Sequence, residues 1–436
     1  MIRRGRVEYW IRQALLGPVV RALRPVSYWT AYVWRRLLLR TTFIAVTGSL
    51  AKTTTKECLA VILSTHGRTF RSFRNQNATG AVALNLLRVR PWHRYAVLEV
   101  AAGAPGTMRR SARLVRPDAV LVLNVLKTHS TAYESLEQHA AEKEILLHAL
   151  RPGGLAVLNG DDPLVRRMTA RGGRVLRVGT ASGCDLRASD ATSLWPDRLS
   201  FTLHHAGGDR RIFTQFVGTH WLTAVLAALA AAAGLGVEIG KAASAIRAAE
   251  PFPGRLQPVR LPNGAIVLRD DYNASIDTVE TSLRVLEQAA APRRVLAITD
   301  LSDFGGNRKQ RLKYLARIAP RAAEVLVLVG EMAEYGRRRA IDQGMAAEQV
   351  HAFPALRPAA EFLRLELRAG DLLLIKGRTT DHAARLFLAQ LGPVGCWKDY
   401  CPKRMLCDIC WELDITPRQL RQATLVPPPE AAHGRL

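Results

Sequence analysis

The apolar run Phe43-Ile44-Ala45-Val46 passes directly into Thr47-Gly48-Ser49-Leu50-Ala51-Lys52-Thr53-Thr54-Thr55-Lys56. A short β-rich run that turns at glycine and restarts as helix reads as a strand feeding a phosphate-binding loop, which commits the chain to a parallel α/β architecture. At such a helix start, backbone N–H groups and the helix dipole converge on one point. A lysine adds a mobile positive charge there, and a following hydroxyl suits Mg²⁺. Gly48, Ser49, Lys52, Thr53 and Thr54 stand in these positions. The general Gly-x-x-x-x-Gly-Lys-[Ser/Thr] pattern is shortened to Gly-x-x-Ala-Lys-Thr, with Ala51 where the second glycine belongs. Alanine costs free energy there only if the position needs positive φ, and we expect it to be tolerated.

A chain of 436 residues exceeds one typical domain and predicts two or three. β-rich runs at Phe43–Val46, Tyr95–Glu99, Ala119–Leu123, Leu155–Asn159 and Arg174–Val178 alternate with helical stretches. Short alternating strands follow over Leu186–Phe216, then an alanine- and leucine-rich helical region over His220–Ile246. Past Pro251-Phe252-Pro253-Gly254 a second α/β section has strand candidates at Ala265–Leu268, Arg294–Ile298, Val325–Val329 and Leu372–Ile375. The expected layout is a basic aromatic arm (1–41), an α/β nucleotide-binding domain (42–252), a Rossmann-like α/β domain (253–393) and a cysteine-rich tail (394–436). Sheets of this kind bind ligands beyond the carboxyl ends of their strands. Lys376-Gly377-Arg378 follows a strand there, so Lys376 and Arg378 are either candidates for a substrate carboxylate or part of a plain strand-to-helix turn.

The formal net charge of +25 favours an anionic partner. No RNA- or DNA-binding motif accompanies it, and no nucleic-acid partner is expected. No apolar run approaches the roughly 18–20 residues of a spanning helix. The arm interleaves Tyr9-Trp10-Ile11, Tyr28-Trp29 and Tyr32-Val33-Trp34 with many arginines, a pattern open to two readings: a membrane-surface element or a helix packed on the protein or a partner. With no secretory signal evident, the protein is expected to be cytoplasmic or membrane-peripheral.

Further segments follow the loop in order: Asn75-Gln76-Asn77, Val97-Leu98-Glu99, Asn124…His129…Ser135-Leu136-Glu137…Lys143, Leu158-Asn159-Gly160-Asp161-Asp162-Pro163, Pro253-Gly254-Arg255-Leu256-Gln257 and Asp270-Asp271-Tyr272-Asn273-Ala274. Together they resemble the Mur ligase family of ATP-dependent amide-bond-forming enzymes, most closely its D-alanyl-D-alanine-adding branch, from about Phe43 to Leu391. The resemblance implies ATP and Mg²⁺ as cofactors, a carboxylate and an amine as substrates, and an acyl-phosphate intermediate. It implies that Thr53, Glu99 and His129 serve Mg²⁺, and that Lys143 falls on a lysine often carbamylated by CO₂ into a metal ligand. Lys143 read alone is a helix lysine paired with Glu137, Glu142 or Glu144. Asn75 and Asn77 fall in a substrate segment, Arg255 and Asn273 reach the nucleotide from the second domain, and Asp271 and Tyr272 help shape that cofactor-binding site.

The chain also departs from the family. Trp221 and Thr223 replace the amides that commonly follow the histidine at His220. Only about forty basic, aromatic residues precede the loop, so the usual UDP-sugar-binding domain is expected to be lacking and a UDP-muramyl substrate is not to be assumed. Cys396, Cys401, Cys407 and Cys410 cluster near the C-terminal end, suiting Zn²⁺, an iron–sulfur cluster or no ligand at all. Two rival functions stay open: activation of a lipid-linked cell-wall carboxylate for a partner amidotransferase, and an ATP-binding assembly protein without ligase activity.

Overall fold

The computed structural model describes residues 25–126, 132–302, 307–399, 401, 403 and 405–429. Two mainly parallel sheets organise them. The first has nine strands in the order β2-β3-β1-β4-β5-β6-β7-β8-β9. Its parallel part comprises β1 (Thr42–Thr47), β2 (Thr69–Arg71), β3 (Tyr95–Glu99), β4 (Ala119–Val122), β5 (Leu155–Asn159) and β6 (Arg174–Gly179), with β7 (Leu186–Thr192) still parallel to β6. β8 (Ser200–His205) and β9 (Gly208–Phe213) then run antiparallel, as the alternating segment predicts.

The strand feeding the loop, β1, lies between β3 and β4 and is buried from Phe43 to Thr47. Helices cover both faces. α2 (Lys52–Ser64), α7 (Leu222–Gly234) and α8 (Ile239–Ala248) enclose one apolar core with Leu59, Leu63 and Leu229. The described part of α1 (residues 25–37) lies on the other face with α3 (Thr79–Leu86), α4 (Thr107–Val115) and α5 (Leu136–His148), around Phe43, Leu98 and Leu146. The predicted helical region His220–Ile246 is broken between α7 and α8, where Gly236 adopts φ 88°.

The second sheet has the order β14-β13-β12-β15-β11-β10-β16. β11 (Ile266–Asp270), β12 (Arg293–Ile298), β13 (Val325–Val329), β14 (Val350–Phe353) and β15 (Asp371–Lys376) are parallel, and β10 (Gln257–Arg260) runs antiparallel to β11. The tail is part of this domain rather than an appendage. Its β16 (Thr424–Leu425) pairs with β10, and Cys396, Cys407 and Leu413 belong to the domain's buried core.

The domains share packing. Trp195 and Val217 of the first insert among Val285, Leu286 and Val426 of the second, and Arg198 Nη2 donates to the Val426 carbonyl at 2.8 Å. This shared apolar contact holds the carboxyl edge of one sheet toward the other domain.

Candidate active site

The loop after β1 is shaped by neighbours rather than by its own sequence. Ser49 N–H donates to the Asn124 carbonyl at 3.0 Å and Leu50 N–H to Asn124 Oδ1 at 2.8 Å, which draws the loop against the end of β4. Asp162 secures that strand end in turn, accepting from Val125 N–H at 2.9 Å while capping the short helix α6 (Pro163–Arg166) through Leu164 and Val165. Gly48 has φ 155°, and a Cβ there would stand 2.9 Å from that of Leu123. The N-terminus of α2 carries no side-chain cap. Its first amides, at Lys52, Thr53 and Thr54, have no acceptor within the helix and are available to an anion.

Ala51, at the N-cap of α2, has φ 64°. The position therefore does need the left-handed conformation, and the alanine carries its cost. Lys52 Nζ rests on the carbonyls of Gly48 (2.6 Å) and Ser49 (2.8 Å). Burial lowers the Lys52 pKa, and the Glu99 carboxylate opposes that shift.

Thr53 Oγ1 donates to Glu99 Oε2 at 3.0 Å, and Asn77 Nδ2 donates to Glu99 Oε1 at 2.8 Å. Glu99, at the end of β3, is only 2% exposed. A buried carboxylate held by a hydroxyl and an amide beside a helix start is a hard oxygen donor set, and it fits Mg²⁺. Asn75 and Asn77 lie on the loop between β2 and α3, which Lys56 anchors. Its wholly buried ammonium donates to the carbonyls of Ser72 (2.8 Å) and Arg74 (2.6 Å).

Lys143 points inward. It is 1% exposed, with Nζ 2.5 Å from His139 Nε2, itself stacked on Tyr133. The neighbouring carboxylates are engaged elsewhere: Glu142 accepts from Gly106 and Met108 N–H, and Glu144 accepts from Thr169 N–H. Burial, then the positive charge of Lys52, push the Lys143 pKa down to about 7, against the attraction of Asp162 and Glu142. His129, the further expected metal residue, lies outside the described residues.

The second domain faces this loop. The Arg255 guanidinium lies 4.2 Å from the centre of the Tyr272 ring, and its charge acts on Lys52. Tyr272 also meets the Asn75 backbone, and Asp408 attracts Arg74 of the first domain. Asn273 follows at the same strand end, its amide 3.4 Å from Ser275 Oγ. His220 sits at this junction too, its ring tilted against that of Trp221 at 4.4 Å, with its pKa pushed down to about 4 by burial and by Lys376 and Arg255.

Lys376 and Arg378, the candidates for a substrate carboxylate, are both engaged within their own domain. Lys376 is not open to a substrate. The parallel register places it opposite Asp270, and the two form a buried ion pair completed by the Ser282 hydroxyl at 2.5 Å. Arg378 is turned onto Asp381 at 2.7 Å, closing its own turn. Asp271 is 1% exposed and takes Arg269 Nη2 at 3.2 Å, so it shapes the site by supporting the strand end that carries Tyr272 and Asn273.

Nor do the four cysteines gather into a metal site. Among the described residues no group of three or more His, Cys, Asp or Glu side chains is placed to hold a metal ion. Cys407 Sγ contacts His382 Nδ1 at 3.3 Å, Cys410 Sγ lies 3.5 Å from Lys403 Nζ, and Cys396 packs in the apolar core.

The fold and site define a two-domain α/β protein with a phosphate-binding loop facing a cleft. The Mur ligase middle domain matches residues 46–232, and the Mur ligase glutamate ligase domain matches residues 254–379. The UDP-N-acetylmuramoyl-tripeptide–D-alanyl-D-alanine ligase of Mycobacterium tuberculosis (strain CDC 1551 / Oshkosh) is 30% identical over 357 residues, 77% of this chain and 70% of its own length. The Escherichia coli K12 ligase of the same name is 30% identical over 275 residues, covering 62% of this chain and 60% of its own length. MurF from Acinetobacter baumannii superposes with a TM-score of 0.77 at 26% identity, over 84% of this chain and 80% of that one. The chain belongs to the Mur ligase family.

Several contributors escaped the sequence reading. Arg74 directly precedes the Asn75–Asn77 segment and Asp408 lies between Cys407 and Cys410, and neither side chain had been assigned a role. Lys56, four residues after Lys52 on α2, carried a signal in its helical spacing, but its buried anchoring role did not follow from it.

Proposed function

We propose that this chain is an ATP-dependent ligase that joins a carboxylate to an amine through an acyl phosphate. The observation that carries this reading is Lys143: a buried lysine with its pKa near 7, within the field of the loop lysine Lys52. A protein that only binds nucleotide has no use for a second buried lysine that gives up its proton this readily within the field of Lys52.

In this mechanism the α2 amides and Lys52 hold the transferring phosphate, and Arg255 closes over it from the second domain. Thr53 and Glu99 would hold Mg²⁺, with His129 and a carbamylated Lys143 toward a second ion. When bound, the metal supplies charge neutralisation for the phosphoryl group. The carboxylate of the acid, oriented by the Asn75–Asn77 loop, attacks the γ-phosphorus of ATP, whose bond to the β–γ bridging oxygen breaks to release ADP and leave the acyl phosphate. The amine then adds to its carbonyl carbon, and the tetrahedral adduct expels phosphate. Fixed donors act on charge as it develops, which is where such groups accelerate most.

The names of the relatives supply the substrate class. D-Alanyl-D-alanine or a similar amino-acid amine is the proposed nucleophile, and the acid is a cell-wall precursor not restricted to UDP-muramyl peptides. The proposed compartment is the cytoplasm. Supplying ATP, Mg²⁺ and panels of acids and amines, and measuring phosphate release with product mass, tests the reading. Release that needs both an acid and an amine and disappears in Lys143→Ala supports it. Release indifferent to every pair and to Lys143→Ala overturns it.

A further inference from the structure

We propose that the outer face of α1 and the arginines around it form a docking surface for an anionic lipid bilayer, an inference that does not rest on the ligase reading. One side of α1 is fixed to the first domain. Ala31 and Leu38 are buried, Trp34 Nε1 donates to the Val89 carbonyl at 2.9 Å, and Arg35 closes the end of α4 through the carbonyls of Val115 (2.6 Å) and Arg116 (2.7 Å). That attachment dictates what the opposite side shows.

The side turned to water is apolar. Val26, Trp29, Val33 and Leu37 are 59%, 62%, 53% and 65% exposed, spaced at three and four residues along one stripe, and Leu39 continues it at 84%. Trp92, three residues beyond the Val89 carbonyl that receives Trp34, is 60% exposed. Isolated exposed apolar side chains are ordinary, but a helix stripe of this length with tryptophan in it is not.

The charge around the stripe has one sign. Segments 25–41, 84–94 and 101–117, which meet at α1, contain no aspartate or glutamate. Arg36 on α1 and Arg40 just beyond its end flank the stripe. α4, which receives Tyr28 at the Arg110 carbonyl and Arg36 at the Arg113 carbonyl, exposes Arg109, Arg110 and Arg113 alongside. Asp118 is engaged by Arg35 and Arg151, and Glu142 by the Gly106 and Met108 amides.

An aliphatic and tryptophan stripe with arginines at its borders matches an interfacial helix, whose apolar face enters the acyl boundary while its cations meet anionic headgroups. A nucleic acid would be served by the cations and would leave the aliphatic stripe in water. The complementary partner is therefore a lipid surface carrying negative charge.

Flotation of the full chain with vesicles of phosphatidylcholine alone, and of phosphatidylcholine with phosphatidylglycerol, tests this. The chain is expected to float with the anionic vesicles and not with the neutral ones. Trp29→Ser/Val33→Ser/Leu37→Ser should reduce the bound fraction about tenfold or more, and so should Arg109→Ser/Arg110→Ser/Arg113→Ser. Val33→Glu, which places one charge in the stripe without removing a packed side chain, should give the same loss with an unchanged thermal melt. Absence of flotation, equal flotation with both vesicle types, or binding indifferent to these substitutions overturns the proposal. So does a dimer in solution that the triple serine variant converts to monomer, because a second copy would then cover the stripe.

Discussion

Arg269 and Asp408 meet through two parallel hydrogen bonds, Nη1 to Oδ1 at 2.5 Å and Nη2 to Oδ2 at 3.0 Å, although 139 residues separate them in sequence. Arg269 also holds Asp271 and lies 4.3 Å from the centre of the Phe387 ring. The tail segment between Cys407 and Cys410 thereby braces the strand end that presents Tyr272 and Asn273 to the cleft. Removing one partner of a buried pair leaves the other charge uncompensated. Asp408→Ala should cost about 3 kcal/mol of stability and raise KM for ATP more than it lowers kcat. Denaturant unfolding and steady-state kinetics measure the two effects.

Ala51 supplies the simplest gain. Its φ of 64° is unfavourable for alanine and free for glycine. Ala51→Gly should therefore stabilise the chain by about 1 kcal/mol and tighten nucleotide binding, whereas Ala51→Val should weaken both. Thermal melts with and without nucleotide separate the contributions. A destabilised glycine variant would refute the strain argument.

Lys56 joins the helix of the phosphate loop to the loop carrying Asn75 and Asn77. Lys56→Met keeps the volume and deletes the donors to Ser72 and Arg74, with a Glu57 contact at 2.9 Å also lost. The expected penalty is about 2–4 kcal/mol. Product formation should fall while nucleotide affinity holds, because Lys56 touches the substrate loop and not the phosphate cradle. Calorimetric titration with nucleotide, run beside the activity assay, tests that split.

Carbamate forms from CO₂ and the neutral amine. With its pKa near 7, Lys143 is about half neutral at pH 7 and about one tenth neutral at pH 6. At fixed CO₂ pressure, acidification through this window should remove carbamate and activity together, and raising the pressure should restore both. A ¹³C carbamate resonance from ¹³CO₂ that is absent in Lys143→Ala is the direct readout. Activity insensitive to CO₂ would discard the carbamate role.

The sheet strands were legible because buried parallel strands read as continuous apolar runs. Tyr95–Glu99, Leu155–Asn159 and Val325–Val329 have the same boundaries in sequence and structure. β2, β10, β14 and β16 were not, since Thr69–Arg71 and Thr424–Leu425 are too short for a pattern and are strands only through their neighbours. At the candidate site, Lys52, Thr53, Glu99 and Lys143 were named because their chemistry is tied to local motifs or to the family, and the structure brings Thr53 onto Glu99 and Lys143 into the field of Lys52. Lys376 misled because a lysine at a strand end says nothing of its register partner, and Asp270 stands directly opposite. Arg74 and Asp408 act across long sequence separations, which no local pattern encodes.

The phosphate loop is completed by chain made long after it. Ser49 and Leu50 depend on Asn124, and Val125 beside it depends on Asp162. During synthesis, the helix start at Lys52 emerges well before the residues that set the loop's shape. A nascent chain ending ahead of Asp162 therefore lacks a finished cradle, and nucleotide capture becomes a late event that reports a correctly assembled first domain.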